Sequence, residues 1–143
     1  MPILEWKDDF KLGINTFDAH HKHLFELYNT AYENFVGGAP VENLGSTLDA
    51  LVDYATYHFS AEEKWMKDNK YPKYAAHLNH HGLFTTRVVE IQVDFVEGRK
   101  TLSLETLAFL KNWISNHILT VDADYARFAG KIQWKKGLNI QLS

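Results

Sequence analysis

The stretch YAAHLNHHGLFTTRVVEI (residues 74–91) repeats apolar and aromatic residues at the spacing of an α-helix. The residues that recur three or four positions apart, and so share one helical face, are Tyr74, His77, His81, Phe84, Val88 and Ile91. His77 and His81, one helical turn apart, therefore lie on a face whose other residues are typical of a hydrophobic core. Burying unpaired imidazoles there would cost several kcal/mol. The stretch predicts a helix whose inner face carries a polar function.

Three further intervals share this helical spacing and lack the period-two alternation of strands. They are separated by turns rich in glycine, proline and polar residues, namely GGAP (37–40), NKYP (69–72) and EGRKTLS (97–103). The predicted helices cover about residues 18–36, 41–67 and 73–97, and the fourth starts near Ser103, a typical N-cap residue.

Four helices with short connections predict an all-α fold, an up-down-up-down four-helix bundle. We expect one domain over residues 1–143, with the bundle at about 18–128. Residues 1–16 are expected to form an N-terminal arm, and residues 130–143 a short C-terminal extension.

Composition narrows the functional classes. The net charge is −3 and no basic stripe occurs, so we expect no nucleic-acid partner. No apolar run approaches the ~20 residues of a membrane span, and the N-terminus lacks the pattern of a signal peptide, so we expect a cytoplasmic protein. No apolar stripe is left over for an interface, which favours a monomer. Cysteine is absent, which excludes disulfides, thiolate zinc sites and iron–sulfur clusters.

Each predicted helix carries histidine or a carboxylate on its inner face. In chain order these candidate metal ligands are His21; His58 and Glu62; His77 and His81; and His117 and Asp122. Residues four apart differ by only about 40° around a helix, so each such pair projects together. A shared metal removes the cost of burying them, because it binds neutral imidazole and ionised carboxylate directly.

His117 and Asp122 are five residues apart, or about 140° around an ideal helix. They can face the same centre in two ways. Either the helix widens locally, as π-bulges at functional sites do, or the carboxylate reaches sideways. The spacing leaves both arrangements open.

The donor set indicates two metal ions rather than one. Five imidazoles and two carboxylates exceed the needs of one tetrahedral zinc. Two octahedral ions that share both carboxylates and a bridging solvent oxygen leave one position for a small ligand. The Glu-x-x-His pairs of carboxylate di-iron bundles are absent. The site is thus less negatively charged, which favours holding dioxygen over cleaving it.

Apolar residues near the ligands in sequence are predicted to line a pocket for that ligand and to exclude water from it. They are Phe25, Phe59, Trp113, Ile118 and Leu119.

The combination of His21, HFSAE (58–62), HLNHH (77–81) and HILTVD (117–122) resembles the hemerythrin family. The resemblance spans roughly residues 4–128. LEW (4–6), Gly13 and FDAHHKHLF (17–25) are similar to the stand-alone bacterial members, the bacteriohemerythrins.

The resemblance implies a non-haem, oxo- or hydroxo-bridged di-iron centre that binds O₂ reversibly. His77, His81 and His117 resemble the ligands of the coordinatively full iron. His21 and His58 resemble those of the iron that binds O₂. The two carboxylates, Glu62 and Asp122, resemble the bridging ligands.

Three histidines fall outside the ligand pattern. His20 stands where bacterial members commonly carry glutamine, and it lies about 100° from His21, so we expect an outward role or one behind a ligand. His80 is expected at the rim or behind a ligand, and His23 in solvent.

The favoured function is reversible O₂ binding for transport, storage or delivery to an O₂-consuming enzyme, without catalysis. Two alternatives use the same site. One is a di-iron oxidase, peroxidase or nitric-oxide-reducing enzyme; the sequence shows no evident inward proton donor for it. The other is an O₂ or redox sensor, for which 143 residues leave no room for a signalling module. Trp134, Lys135 and Lys136 could dock a partner.

Overall fold

The computed structural model describes residues 4–97 and 104–135, with side chains as far as residue 130. A 3₁₀ turn at Asp8–Phe10 precedes the helices α1 (Asn15–Val36), α2 (Val41–Asp68), α3 (Tyr74–Val96), α4 (Leu104–Asn116) and α5 (Ala123–Lys135). A π-helical segment, His117–Asp122, joins α4 to α5, so these three form one continuous fourth helix. The predicted all-α four-helix bundle is confirmed. The predicted cap at Ser103 and the docking residues from Trp134 onward lie outside the described side chains.

Residues near the N-terminus pack more closely than the expected arm. Leu4 exchanges two hydrogen bonds of 2.9 Å with the side chain of Asn29 on α1. The carboxylate of Asp18 accepts the backbone N–H groups of Leu12 (2.9 Å) and Gly13 (3.1 Å). Gly13 has φ +91°, a conformation that suits glycine. Because this turn is fastened to the helix start, α1 begins at Asn15 and not at residue 18.

The fourth helix runs past the predicted end of the bundle to Lys135, so residues 130–135, which were predicted to belong to a short C-terminal extension, continue the helix. Burial explains the difference. Tyr125 and Ala129 of α5 are 0% and 3% exposed. Tyr125 belongs to an apolar cluster with Phe17, Met66 and Tyr71, so the inward face of the helix continues beyond the last ligand.

Two apolar clusters make up the core, and the histidines contact both. The larger cluster contains Phe59, whose ring stacks on His81 with centroids 3.9 Å apart. The smaller contains Tyr125, whose ring lies 5.3 Å from that of His77. The polar residues thus form a layer inside the bundle, away from its ends. Among the described helices, none combines the length and hydropathy needed to cross a bilayer.

Candidate metal centre

The seven predicted ligands converge in the interior of the bundle. Each is at most 2% exposed: His21, His58, Glu62, His77, His81, His117 and Asp122. α1 supplies one, α2 two, α3 two and the π segment two. Hydrophobic helix faces around this layer hold the side chains in place. The sequence therefore brings seven candidate metal ligands into one buried volume.

The π segment resolves how the fourth helix contributes two ligands. Nε2 of His117 lies 2.9 Å from Oδ1 of Asp122. A π turn bonds each residue to the one five positions on, so it aligns side chains that an α-helix would separate. Of the two arrangements left open by the spacing, the helix adopts local widening.

The ligand atoms form two groups that share both carboxylates. The larger group contains the imidazoles of His77, His81 and His117, and the smaller contains those of His21 and His58. Within each group the ligand atoms lie within 4.8 Å of one another. The division of the imidazoles is the one that the resemblance implies. With this division, the smaller group has one imidazole ligand fewer than the larger group.

Glu62 has one oxygen in each group. Oε1 lies 3.3 Å from Nε2 of His81 in the larger group, and Oε2 lies 3.2 Å from Nε2 of His58 in the smaller. This is the orientation of a carboxylate that can bridge two ions.

Asp122 repeats the arrangement. Oδ1 is 3.0 Å from Nε2 of His77 and 2.9 Å from Nε2 of His117. Oδ2 is 3.1 Å from Nε2 of His21 in the smaller group. The two carboxylates therefore tie together two half-sites from opposite sides.

The site's polar atoms have the pattern expected of metal ligands. Among the described residues, the buried side-chain atoms without a hydrogen-bond partner are Nδ1 and Nε2 of His21 and His77, Nε2 of His58, Oε1 of Glu62 and both carboxylate oxygens of Asp122. Several lie about 3 Å from one another, yet their angles are not those of hydrogen bonds. An octahedral ion with bonds of about 2.1 Å places neighbouring ligands about 3 Å apart. The residues fit a pair of divalent ions.

The charges of the protein alone favour ionised carboxylates. Burial raises the pKa of Glu62 and Asp122, but the surrounding histidines outweigh it and hold both pKa values well below the ordinary range. Burial lowers the pKa of His21, whereas Asp122 and Glu62 raise it, with a net value of about 9. The carboxylates thus keep a proton on His21 at neutral pH, and metal binding must displace it.

Three side chains contact the outer nitrogen, Nδ1, of a predicted ligand. His20 reaches His58 at 2.8 Å, His80 reaches His117 at 2.9 Å and Glu63 reaches His81 at 2.8 Å. His20 is only 8% exposed, so of its two expected roles it has the one behind a ligand. His80 is half-buried, in keeping with its expected place, and His23 is half-exposed beside Glu26.

Tyr125 is a site residue that the sequence reading missed. Its hydroxyl is fully buried and donates a hydrogen bond of 2.5 Å to Oε2 of Glu62. Burial and the nearby carboxylates raise its pKa well above the ordinary value, so the phenol keeps its proton. The sequence shows no evident inward proton donor, whereas the structure places the hydroxyl of Tyr125 against Glu62. Its position three residues after Asp122, on the same helical face, was the available signal.

A small cavity adjoins the smaller half-site. Its volume is about 10 Å³, close to the space of one water-sized molecule. It is lined by His21, His58, His117 and Asp122 and by the apolar residues Leu24, Ala55, Phe59, Phe84, Trp113, Ile114 and Ile118. Of the predicted pocket residues, Phe59, Trp113 and Ile118 are in this lining.

Two predicted pocket residues lie elsewhere. Leu119 is 42% exposed, because the residue after buried Ile118 points away from the core, so its assignment to the pocket was wrong. Phe25 is buried, but its ring packs against Trp6 and Phe10 and is not part of the lining.

Comparison with known proteins agrees with this geometry. The family model of the hemerythrin HHE cation binding domain matches residues 12–129. The chain belongs to the hemerythrin family. Among its hemerythrin relatives, the bacteriohemerythrin of Stenotrophomonas maltophilia is 34% identical over 128 residues, which cover 88% of this chain and 81% of the relative. The bacteriohemerythrin of Clostridium acetobutylicum is 33% identical, with 84% and 96% covered.

Solved hemerythrin structures share the fold. A crystal structure of wild-type hemerythrin superimposes with a TM-score of 0.82 at 28% identity. The superposition covers 87% of this chain and 96% of the other. The similarity therefore extends over the whole bundle that carries the seven candidate ligands.

Proposed function

We propose that this hemerythrin-family chain binds O₂ reversibly at a centre of two iron ions and acts as an O₂ carrier, store or delivery protein rather than an enzyme. His77, His81 and His117 would hold one iron, His21 and His58 the other, and Glu62 and Asp122 would bridge them. The two irons would supply the electrons that bound O₂ requires.

The unequal division of imidazoles carries this proposal. One half-site offers three imidazoles and the other two, while both share the same carboxylates. The smaller half-site therefore has one protein ligand fewer, and both of its imidazoles, those of His21 and His58, line the cavity, whereas the larger half-site contributes only that of His117. A site with this asymmetry suits a single small ligand at one metal.

The size of the cavity admits only a very small ligand, and its apolar walls disfavour water. Its volume of about 10 Å³ leaves no room for an organic substrate beside the metals. Phe59, Trp113 and Ile118 provide apolar walls, which exclude the water and protons that promote loss of bound oxygen. The hydroxyl of Tyr125 is occupied with Glu62 and does not line the cavity.

The test is to purify the protein, measure its iron and follow the visible spectrum through alternating air and nitrogen. We expect about two irons per chain, as two octahedral half-sites require, and an absorption band that disappears under nitrogen and returns in air. Zinc in place of iron, or a colour that forms once and never recovers, would refute the proposal. Sustained O₂ consumption with a reductant would favour the enzyme alternative.

A further inference from the structure

Two histidine pairs in the sequence share a structural pattern that the ligand assignment does not use. In His20–His21 and in His80–His81, the second histidine is a candidate metal ligand on its own helix. The first contacts a candidate ligand on the neighbouring helix. Nδ1 of His20 lies 2.8 Å from Nδ1 of His58, and Nδ1 of His80 lies 2.9 Å from Nδ1 of His117.

Helical geometry produces this pattern from adjacent residues. Consecutive side chains on an α-helix differ by about 100°. When the second imidazole of each pair points to the centre of the bundle, the first points along the gap toward the next helix. His20 of α1 therefore meets His58 of α2, and His80 of α3 meets His117 of the fourth helix.

Metal binding through Nε2 of the two ligands would set the direction of these hydrogen bonds. Nε2 of His58 and Nε2 of His117 face the bridging carboxylates at 3.2 Å and 2.9 Å. An imidazole that uses Nε2 as a metal ligand carries its proton on Nδ1 and donates it to an acceptor. In the metal-bound state the acceptors would be Nδ1 of His20 and Nδ1 of His80. Each contact thus selects the tautomer and the ring orientation that metal binding needs.

The supporting imidazoles are themselves held by packing. The ring of His20 lies 5.3 Å from that of Tyr57 and 5.9 Å from that of Tyr54. His80 lies nearly parallel to the ring of His117, with centroids 5.0 Å apart, and 5.6 Å from Trp113. Neither ring can rotate freely away from its ligand.

This support is selective. His81 has a carboxylate partner in Glu63. Nδ1 of His21 and Nδ1 of His77 have no hydrogen-bond partner in the described part of the chain. Among the described residues, the candidate ligands with a histidine at Nδ1 are His58 and His117, and they belong to different half-sites.

We propose that His20 and His80 are positioning residues that orient His58 and His117 for metal binding, one in each half-site. The inference rests on the proposed metal centre. Contacts of this kind behind a ligand change metal affinity by roughly 10- to 100-fold when they are removed.

The experiment compares cobalt(II) binding by metal-free protein and four variants: His20→Ala, His20→Asn, His80→Ala and His80→Asn. Asparagine keeps an acceptor, because its Oδ1 is bonded to Cγ as Nδ1 of histidine is, whereas alanine removes it. His23→Ala is the matched control, since His23 is half-exposed and contacts Glu26 rather than a ligand. Affinity is measured by competition with a chelator, and the visible spectrum of bound cobalt reports ligand geometry.

We expect each alanine variant to bind cobalt roughly 10- to 100-fold more weakly with an altered spectrum. Each asparagine variant should recover most of the affinity and the native spectrum, and His23→Ala should match the native protein. Alanine variants with native affinity would refute the positioning role. Asparagine variants as weak as alanine would also refute it, because they would indicate lost packing instead. Native protein that takes up no cobalt would refute the proposed metal centre itself.

Discussion

Replacing Tyr125 with phenylalanine removes one buried hydroxyl and leaves the ring in place. The ring packs against Phe17, Trp65 and His77, so its hydrophobic contacts persist. The loss is the hydrogen bond to Oε2 of Glu62. That oxygen is fully buried and charged, and a hydrogen bond to a charged group contributes about 1.5–3 kcal/mol to the free energy of unfolding.

Tyr28→Phe provides a matched control. Tyr28 is 1% exposed and its hydroxyl donates to the backbone oxygen of Leu107 at 2.8 Å. This neutral hydrogen bond contributes about 0.5–1.5 kcal/mol. Both variants lose one oxygen atom from a buried tyrosine, so the difference between them isolates the charge on Glu62.

The assay is urea unfolding of chelator-treated protein, followed by circular dichroism. For a loss near 2 kcal/mol and a slope of about 2 kcal/mol per molar urea, the midpoint of Tyr125→Phe falls by about 1 M. We expect Tyr28→Phe to fall by roughly half as much. If Tyr125→Phe is destabilised no more than Tyr28→Phe, the phenol does not stabilise the Glu62 carboxylate and the reasoning is wrong.

Three other perturbations test the site and its frame. Glu62→Ala should abolish iron binding at both half-sites, because Glu62 has an oxygen in both groups, whereas His77→Ala should lower the iron content mainly of the larger half-site. Equal iron contents in the two variants would contradict this assignment. In metal-free protein the raised pKa of His21 gives stability that is present below pH ~6.5 and is lost as the pH rises through about 9. Urea midpoints that do not change between pH 6 and 9.5 would argue against it. Asp18→Ala should lower the free energy of unfolding by about 1–2 kcal/mol, because Asp18 accepts two backbone N–H groups. Iron content should stay unchanged, because Asp18 is not one of the seven candidate ligands, although it stands one helical turn before His21. Iron lost in parallel would show that this turn supports the site.

Helical periodicity was sufficient to predict the bundle and to place the histidines on inner faces, because residues four positions apart lie on the same face of a helix. It could not determine where α5 ends, since Ala129 gains its burial from contacts with other helices. It also left His117 and Asp122 unresolved. A local widening of the helix and a sideways reach of the Asp122 carboxylate are both compatible with a separation of five residues. Only the packing of the fourth helix decides between them.

The missed and misplaced residues have a common cause. Leu119 was assigned to the pocket from its nearness in sequence to His117, but neighbouring residues on a helix face different directions. Tyr125 was overlooked because an aromatic residue on the inner face of a helix is typical of ordinary hydrophobic core packing. Its role depends on a hydroxyl 2.5 Å from Glu62, a residue 63 positions away, and helical periodicity contains no information about that contact.

Without metal, the unpartnered atoms of the proposed centre destabilise the bundle, although the attraction of His21 to Asp122 and Glu62 offsets part of that cost. Six buried ligand atoms in the described site have no hydrogen-bond partner: Nε2 of His21, His58 and His77, Oε1 of Glu62, and both carboxylate oxygens of Asp122. Leaving one such group unsatisfied costs about 1–3 kcal/mol, and an entire domain is stable by only about 5–15 kcal/mol. A ligand that binds the folded chain alone stabilises it in proportion to the logarithm of its concentration relative to its dissociation constant. We therefore expect occupancy of the proposed metal centre to be coupled to fold stability, so that substitutions that loosen His58 or His117 should lower both together.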